Sequence, residues 1–122
     1  MKIILISIFA LLSAFCNAEE LSSSTKQEIE HLFIHLESSG CQFNRNGSWY
    51  NASEASSHIR KKYDYLVGKG LLNTSESFIE KAATESSMSG KPYQVKCEGE
   101  PVVLSSVWFN NELKAYRKSK NH

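Results

Sequence analysis

Ser86-Ser87-Met88-Ser89-Gly90-Lys91-Pro92-Tyr93-Gln94-Val95-Lys96-Cys97 brings a helix end, a glycine turn, a strand and a cysteine together in one run of chain. Gly90 supplies a left-handed stop for the helix that enters the stretch, and Pro92 fixes an extended start for the strand. Tyr93, Val95 and Cys97 alternate with Gln94 and Lys96, the period of a half-buried strand. The entering helix buries Phe78, Ile79, Ala82 and Ala83 and opens on a capping box of Asn73 with Glu76. It runs out in the serines, with Met88 and Gly90 at its end.

Outward from this strand, the pattern over Cys41 to Asn51 also has a period of two. Asn46-Gly47 at its centre predicts a hairpin with a type I′ turn. Counting from the turn sets Arg45 opposite Ser48 and Phe43 opposite Tyr50, on the face of Cys41. Trp49 falls on the other face beside Asn44, where it is either covered by a helix or exposed. Asn51 with Glu54 caps a second helix through Ala55, Ile59, Tyr63 and Leu66, closed by Gly68 and Gly70. Lys62 falls inside its apolar stripe, about 50° from the centre at 100° per residue.

A first helix begins near Ser22 to Ser24, where Ser24 with Gln27 and Thr25 with Glu28 both have capping-box spacing. It carries Ile29, Leu32, Phe33 and Leu36 at helical period and stops at Gly40. Downstream, Glu98-Gly99-Glu100-Pro101 predicts a loop. Ser105 or Ser106 then caps a last helix holding Trp108, Phe109, Leu113 and Tyr116, with a frayed basic tail of Arg117, Lys118, Lys120, Asn121 and His122.

The expected fold class is α+β: four helices packed on a small three-stranded antiparallel sheet, a hairpin plus one strand, stapled by a disulfide. Residues 1–18 read as a cleavable signal peptide, with Lys2, the apolar run Ile3 to Phe15, and small residues before Glu19. Cys16 follows a bulky Phe15, which fits lipid attachment poorly, so cleavage after Ala18 is expected. Residues 19–122 would form one small α+β domain in the periplasm, with no membrane span.

Two cysteines remain after cleavage, Cys41 and Cys97, and an even count in an exported chain predicts a disulfide over two free thiols. Closing that loop stabilises a fold by about 4 kcal/mol in the chain-entropy model. Loss of Lys2 leaves 13 basic residues against 13 acidic ones. That balance disfavours nucleic acid as a partner, because phosphate binding needs a basic surplus on one face.

Ser39-Gly40-Cys41, Phe43, Arg45-Asn46-Gly47, Lys62-Tyr63, Phe78-Ile79, Ser86-Ser87, Ser89-Gly90-Lys91-Pro92-Tyr93, Cys97 and Trp108 through Tyr116-Arg117 resemble the YfeK-like family of small exported bacterial proteins. The resemblance covers nearly the whole mature chain in order. It implies a bacterial periplasmic protein and strengthens the disulfide; it lends no reaction and no catalytic residue.

Four groups of residues are candidates for function. Lys62 or Lys91 with Ser86, Ser87 or Ser89 has the composition of a Ser-Lys nucleophile, which needs a desolvated lysine within reach of a hydroxyl. The same residues also serve as a snorkelling lysine and helix-end serines. Glu28, His31 and His35 share one side of the first helix, and two histidines four apart can share a metal, although that side should be the solvated face. Ser89-Gly90-Lys91-Pro92-Tyr93 resembles the inhibitory loop of periplasmic lysozyme inhibitors, which are β-barrels, unlike this chain. Arg45, Trp49, Lys91, Tyr93 and Arg117 could form a polar and aromatic patch for an anionic or glycan ligand. Three Asn-X-Ser sequons, at Asn46, Asn51 and Asn73, are read as caps and turns.

The expected function is therefore a non-enzymatic binding module for a periplasmic protein or cell-envelope ligand, with no cofactor and no metal. A small Ser/Lys hydrolase and an inhibitor of a cell-wall hydrolase are the alternatives. The candidate binding residues are Arg45, Lys62, Ser86, Ser87, Ser89, Lys91, Tyr93 and Arg117.

Overall fold

A computed structural model of the chain describes residues 21–121. The leader expected over residues 1–18 lies outside the described residues. Helix α1 (Ser23–Ser38) is followed by strands β1 (Gln42–Arg45) and β2 (Ser48–Asn51), then by helices α2 (Ala52–Gly68) and α3 (Ser75–Ala82). Strands β3 (Gln94–Lys96) and β4 (Val103–Leu104) and helix α4 (Ser105–Lys120) complete the order. Among the described residues no helix is long and apolar enough to cross a membrane.

Asn46 and Gly47 take φ of 54° and 85°, the pair of left-handed conformations that a type I′ turn requires. The hairpin register is the one its turn dictates, with Arg45 opposite Ser48 and Phe43 opposite Tyr50. β3 pairs antiparallel with β1, so the sheet order is β2-β1-β3-β4.

The sheet has four strands, where three were expected. β4 is two residues long behind Pro101, too short to display an alternation, and it exists because Gly99, at φ 78°, folds the chain back after β3. Gln42 pairs with Lys96, so the next residues outward, Cys41 and Cys97, face each other and form the disulfide.

Phe43 and Val95 lie buried on the core face of the sheet against Phe109 and Leu113 of α4 and Ala55 and Ile59 of α2. Phe33, Phe78 and Phe109 are fully buried, each contributing about 1.5–3 kcal/mol of hydrophobic stabilisation. The opposite face of the sheet is open, and Trp49 is 41% exposed there.

Local capping departs from the expected pattern in several places. Ser22, two or three residues ahead of the expected boxes, caps α1. Thr74 with Ser77 caps α3 in place of Asn73 with Glu76. α3 ends at Ala82, well before Met88 and Gly90, because Tyr93 N–H donates to the Thr84 carbonyl and Ser86 N–H to that of Lys91, closing the serine stretch into a loop. Gly90 still takes φ 72° within that loop. α4 has Leu104 at its N-cap and no side-chain cap, so neither Ser105 nor Ser106 caps it. The basic tail is helical through Lys120, held by Arg117 in place of fraying.

Candidate functional site

Asn44, Gln94 and Leu104 form one row across β1, β3 and β4. Continuing the register by one residue places Arg45, Tyr93 and Ser105 in the next row, where Ser105 N–H donates to the Tyr93 carbonyl at 2.9 Å. Alternation puts this row on the same face as Phe43 and Val95. The core face is thus apolar up to Phe43 and Tyr50 and turns polar at its last row. Over that edge lies one face of α2, with Glu54, Ala55, His58 and Ile59, and between helix and sheet is a cavity of about 140 Å³. Its walls are mainly apolar, formed by Phe43, Ala55 and Ile59, with the Tyr50 and Tyr93 rings.

Polar groups converge on one side. Arg45 Nη1 lies 2.8 Å from His58 Nδ1 and 3.1 Å from Nε2, and His58 Nε2 lies 3.1 Å from the Tyr93 hydroxyl. A guanidinium only donates, so a His58 ring nitrogen accepts from Arg45, and the tautomer sets whether Nε2 donates to the Tyr93 hydroxyl or accepts from it. Burial holds the His58 pKa below the ordinary histidine value, and the charges of Arg45, Lys62 and Lys61 add to the effect. The ring is therefore neutral near pH 7. Lys62 Nζ donates to the Glu85 carbonyl at 3.0 Å and to the Tyr93 hydroxyl at 3.3 Å. Burial lowers its pKa, opposed by Glu85 and reinforced by Arg45. Burial raises that of the Tyr93 phenol, against the pull of Arg45.

Ser105 lines the cavity, is fully buried, and its hydroxyl has no hydrogen-bond partner among the described residues. A buried hydroxyl left unpaired costs about 1–3 kcal/mol. It sits in the first turn of α4, whose uncapped N-terminus carries partial positive charge.

Arg45, Lys62 and Tyr93 are therefore brought together, through a histidine that sequence reasoning passed over. Its one signal was the four-residue spacing of Glu54, His58 and Lys62, which sets all three on one helical face. Ser86 is buried beside the group, its hydroxyl accepting from Asn46 Nδ2 at 3.2 Å, while Ser89 donates to Asn46 Oδ1. Ser87 and Lys91 are exposed. None of these serines hydrogen-bonds to Lys62. Arg117 belongs elsewhere: it grips Glu28 at 2.8 Å and Glu76 at 2.7 Å and makes no hydrogen bond to the pocket group.

The histidine face of α1 is not solvated as expected. α4 partly covers it, with His31 stacked on Tyr116 at 4.1 Å and His35 tilted against Trp108 at 4.6 Å. Both rings turn to Glu112, His31 at 2.6 Å and His35 at 3.7 Å, while Glu28 turns away to Arg117 and Ser75. Among the described residues no three His, Cys, Asp or Glu side chains are grouped to hold a metal ion.

A family model described as "Family of unknown function (DUF5329)" matches residues 23–117. The chain belongs to the DUF5329 family. The matched region contains the disulfide, the four strands of the sheet and every residue of the pocket. The chain is also similar to "Uncharacterized protein YfeK" of Salmonella typhimurium (strain LT2), 45% identical over 51 residues. That match spans 42% of this chain and 41% of the relative, about two-fifths of its length. It agrees with the YfeK-like resemblance read from the motifs. No solved structure matches the chain.

Proposed function

We propose that this DUF5329 chain is an exported, non-catalytic binding domain, residues 19–122, acting in the periplasm through the pocket between α2 and the β1–β2 hairpin. The observation that carries the reading is Ser105, a residue of the pocket lining whose buried hydroxyl has no partner among the described residues. A fold gains nothing from such a group, whereas a ligand polar atom would satisfy it. A mostly apolar cavity with a few convergent polar groups is the usual form of a small-molecule site. The leader pattern and the disulfide support export.

The hydrolase alternative is less well supported. Lys62 is engaged by a carbonyl and a phenol, and a general base needs a nucleophile within hydrogen-bond reach. The inhibitor alternative asks for a free Ser89, whose hydroxyl is bound to Asn46.

The reading is tested by titrating an isotope-labelled mature chain with a library of small fragments and following backbone amide resonances. At least one fragment should move the amides of Arg45, His58, Tyr93 and Ser105 together. Binding confined to other surfaces would refute it.

A further inference from the structure

Resting on the pocket reading, we infer that the ligand is a small carboxylate with a body the size of one six-membered ring. The carboxylate binds Arg45, and the far end of the ring presents a polar atom to Ser105.

Size restricts the body. A dry cavity of about 150 Å³ is known to take one benzene ring, and the pocket measures about 140 Å³. A bare inorganic anion would leave Phe43, Ala55 and Ile59 without a partner.

Charge selects the carboxylate. The other two arginines are paired, Arg60 to Glu30 at 3.0 Å and Arg117 to Glu28 and Glu76. Arg45 has no carboxylate within salt-bridge distance among the described residues; Nη1 contacts His58, the guanidinium lies over the Tyr50 ring at 5.4 Å, and its other nitrogens make no hydrogen bond among the described residues. The guanidinium fork is therefore open to an acid, its preferred bidentate partner. Glu54, the one carboxylate in the wall, is turned to the Asn51 N–H at 3.2 Å in the capping box. The Tyr93 hydroxyl accepts from Lys62 at 3.3 Å and meets His58 Nε2 at 3.1 Å, so it is engaged by the protein. The unused polar hydrogens of Arg45 and Ser105 call for acceptors. An amine would meet two cations instead.

Register sets the length. Arg45 and Ser105 lie in one row on strands two apart, with Tyr93 between them, a backbone span of about 10 Å. A ring substituted at opposite ends bridges such a row.

The test is an amide-shift titration of the mature chain with benzoate, 4-hydroxybenzoate, phenol, benzylamine and acetate. Benzoate should bind about tenfold more tightly than phenol, as one charge-assisted pair implies. 4-Hydroxybenzoate should exceed benzoate severalfold, and benzylamine and acetate should leave the pocket amides unmoved. Arg45→Gln should reduce benzoate to the level of phenol, and Ser105→Ala should abolish the advantage of the hydroxyl group. Equal binding of phenol and benzoate, or binding of benzylamine, would overturn the carboxylate assignment and leave the pocket standing. Silence from every probe at tens of millimolar would overturn the carboxylate assignment, and the fragment titration decides the pocket reading by itself. The ranking within the unmodified protein decides the matter even if a variant fails to fold.

Discussion

Ser105 is a place where one atom works against the stability of the fold. Its backbone N–H is satisfied by Tyr93, yet its hydroxyl is enclosed without a partner among the described residues. Replacing it by alanine removes the desolvated group and leaves the neighbouring packing almost unchanged. Ser105→Ala should therefore raise stability by about 1 kcal/mol, seen as a rise in Tm of about 5 °C for a domain of this size. A lower Tm would mean that the hydroxyl has a stabilising partner, and the ligand argument would lose its main support. Arg45, Lys62 and Tyr93 were legible as candidates from the chain because their types and local patterns stand out. Ser105 and His58 were not, since a serine at a helix start and a histidine on a helix are ordinary until something closes over them.

At the scale of elements, the hairpin and the second helix were readable because short-range chemistry governs them: an Asn-Gly turn and an Asn51–Glu54 capping box act over a few residues. The end of α4 was not readable, because its anchors come from elsewhere in the chain. Arg117 donates to Glu28 of α1 and Glu76 of α3 and so ties three helices at one point. Its hydrogen bonds lower both carboxyl pKa values below the ordinary 4.5, against the opposing effect of burial. Folded carboxylates with depressed pKa bind fewer protons than unfolded ones. Their contribution is thus complete above that ordinary value and is lost as pH falls through the folded values. Arg117→Ala should cost about 1–2 kcal/mol at pH 7, a modest figure because the site is partly solvated. The gap to the unmodified protein in urea denaturation should close as pH drops below the ordinary carboxylate value of 4.5. A cost that persists unchanged in acid would show that Arg117 acts by packing alone.

For the whole molecule, the disulfide joins the residue before β1 to the residue after β3 and so locks the central pair of the sheet. Cys41→Ser with Cys97→Ser should lower stability by about 2–5 kcal/mol, measured by denaturant unfolding against the oxidised form. A change under about 1 kcal/mol would mean that the sheet holds its register without the bridge. Intact-mass analysis of the exported protein should give a chain starting at Glu19, lighter by two hydrogens before reduction. A lipid on Cys16 or retained residues 1–18 would overturn the proposed processing.

The amino-acid sequence by itself determined the helix and strand periods and the hairpin register, which depend on residues a few positions apart, the pairing of Cys41 with Cys97, which follows from the cysteine count, and the YfeK-like kinship, which rests on the order of short motifs along the chain. Only the tertiary structure decided that Val103 and Leu104 form a fourth strand, that α4 partly covers the histidines of α1, and that Arg45, His58, Tyr93 and Ser105 face one cavity. Those outcomes come from long-range packing. A two-residue strand has no period of its own, and an arginine, a histidine, a tyrosine and a serine spread over 61 positions acquire a common chemistry only when one sheet edge and one helix bring them together.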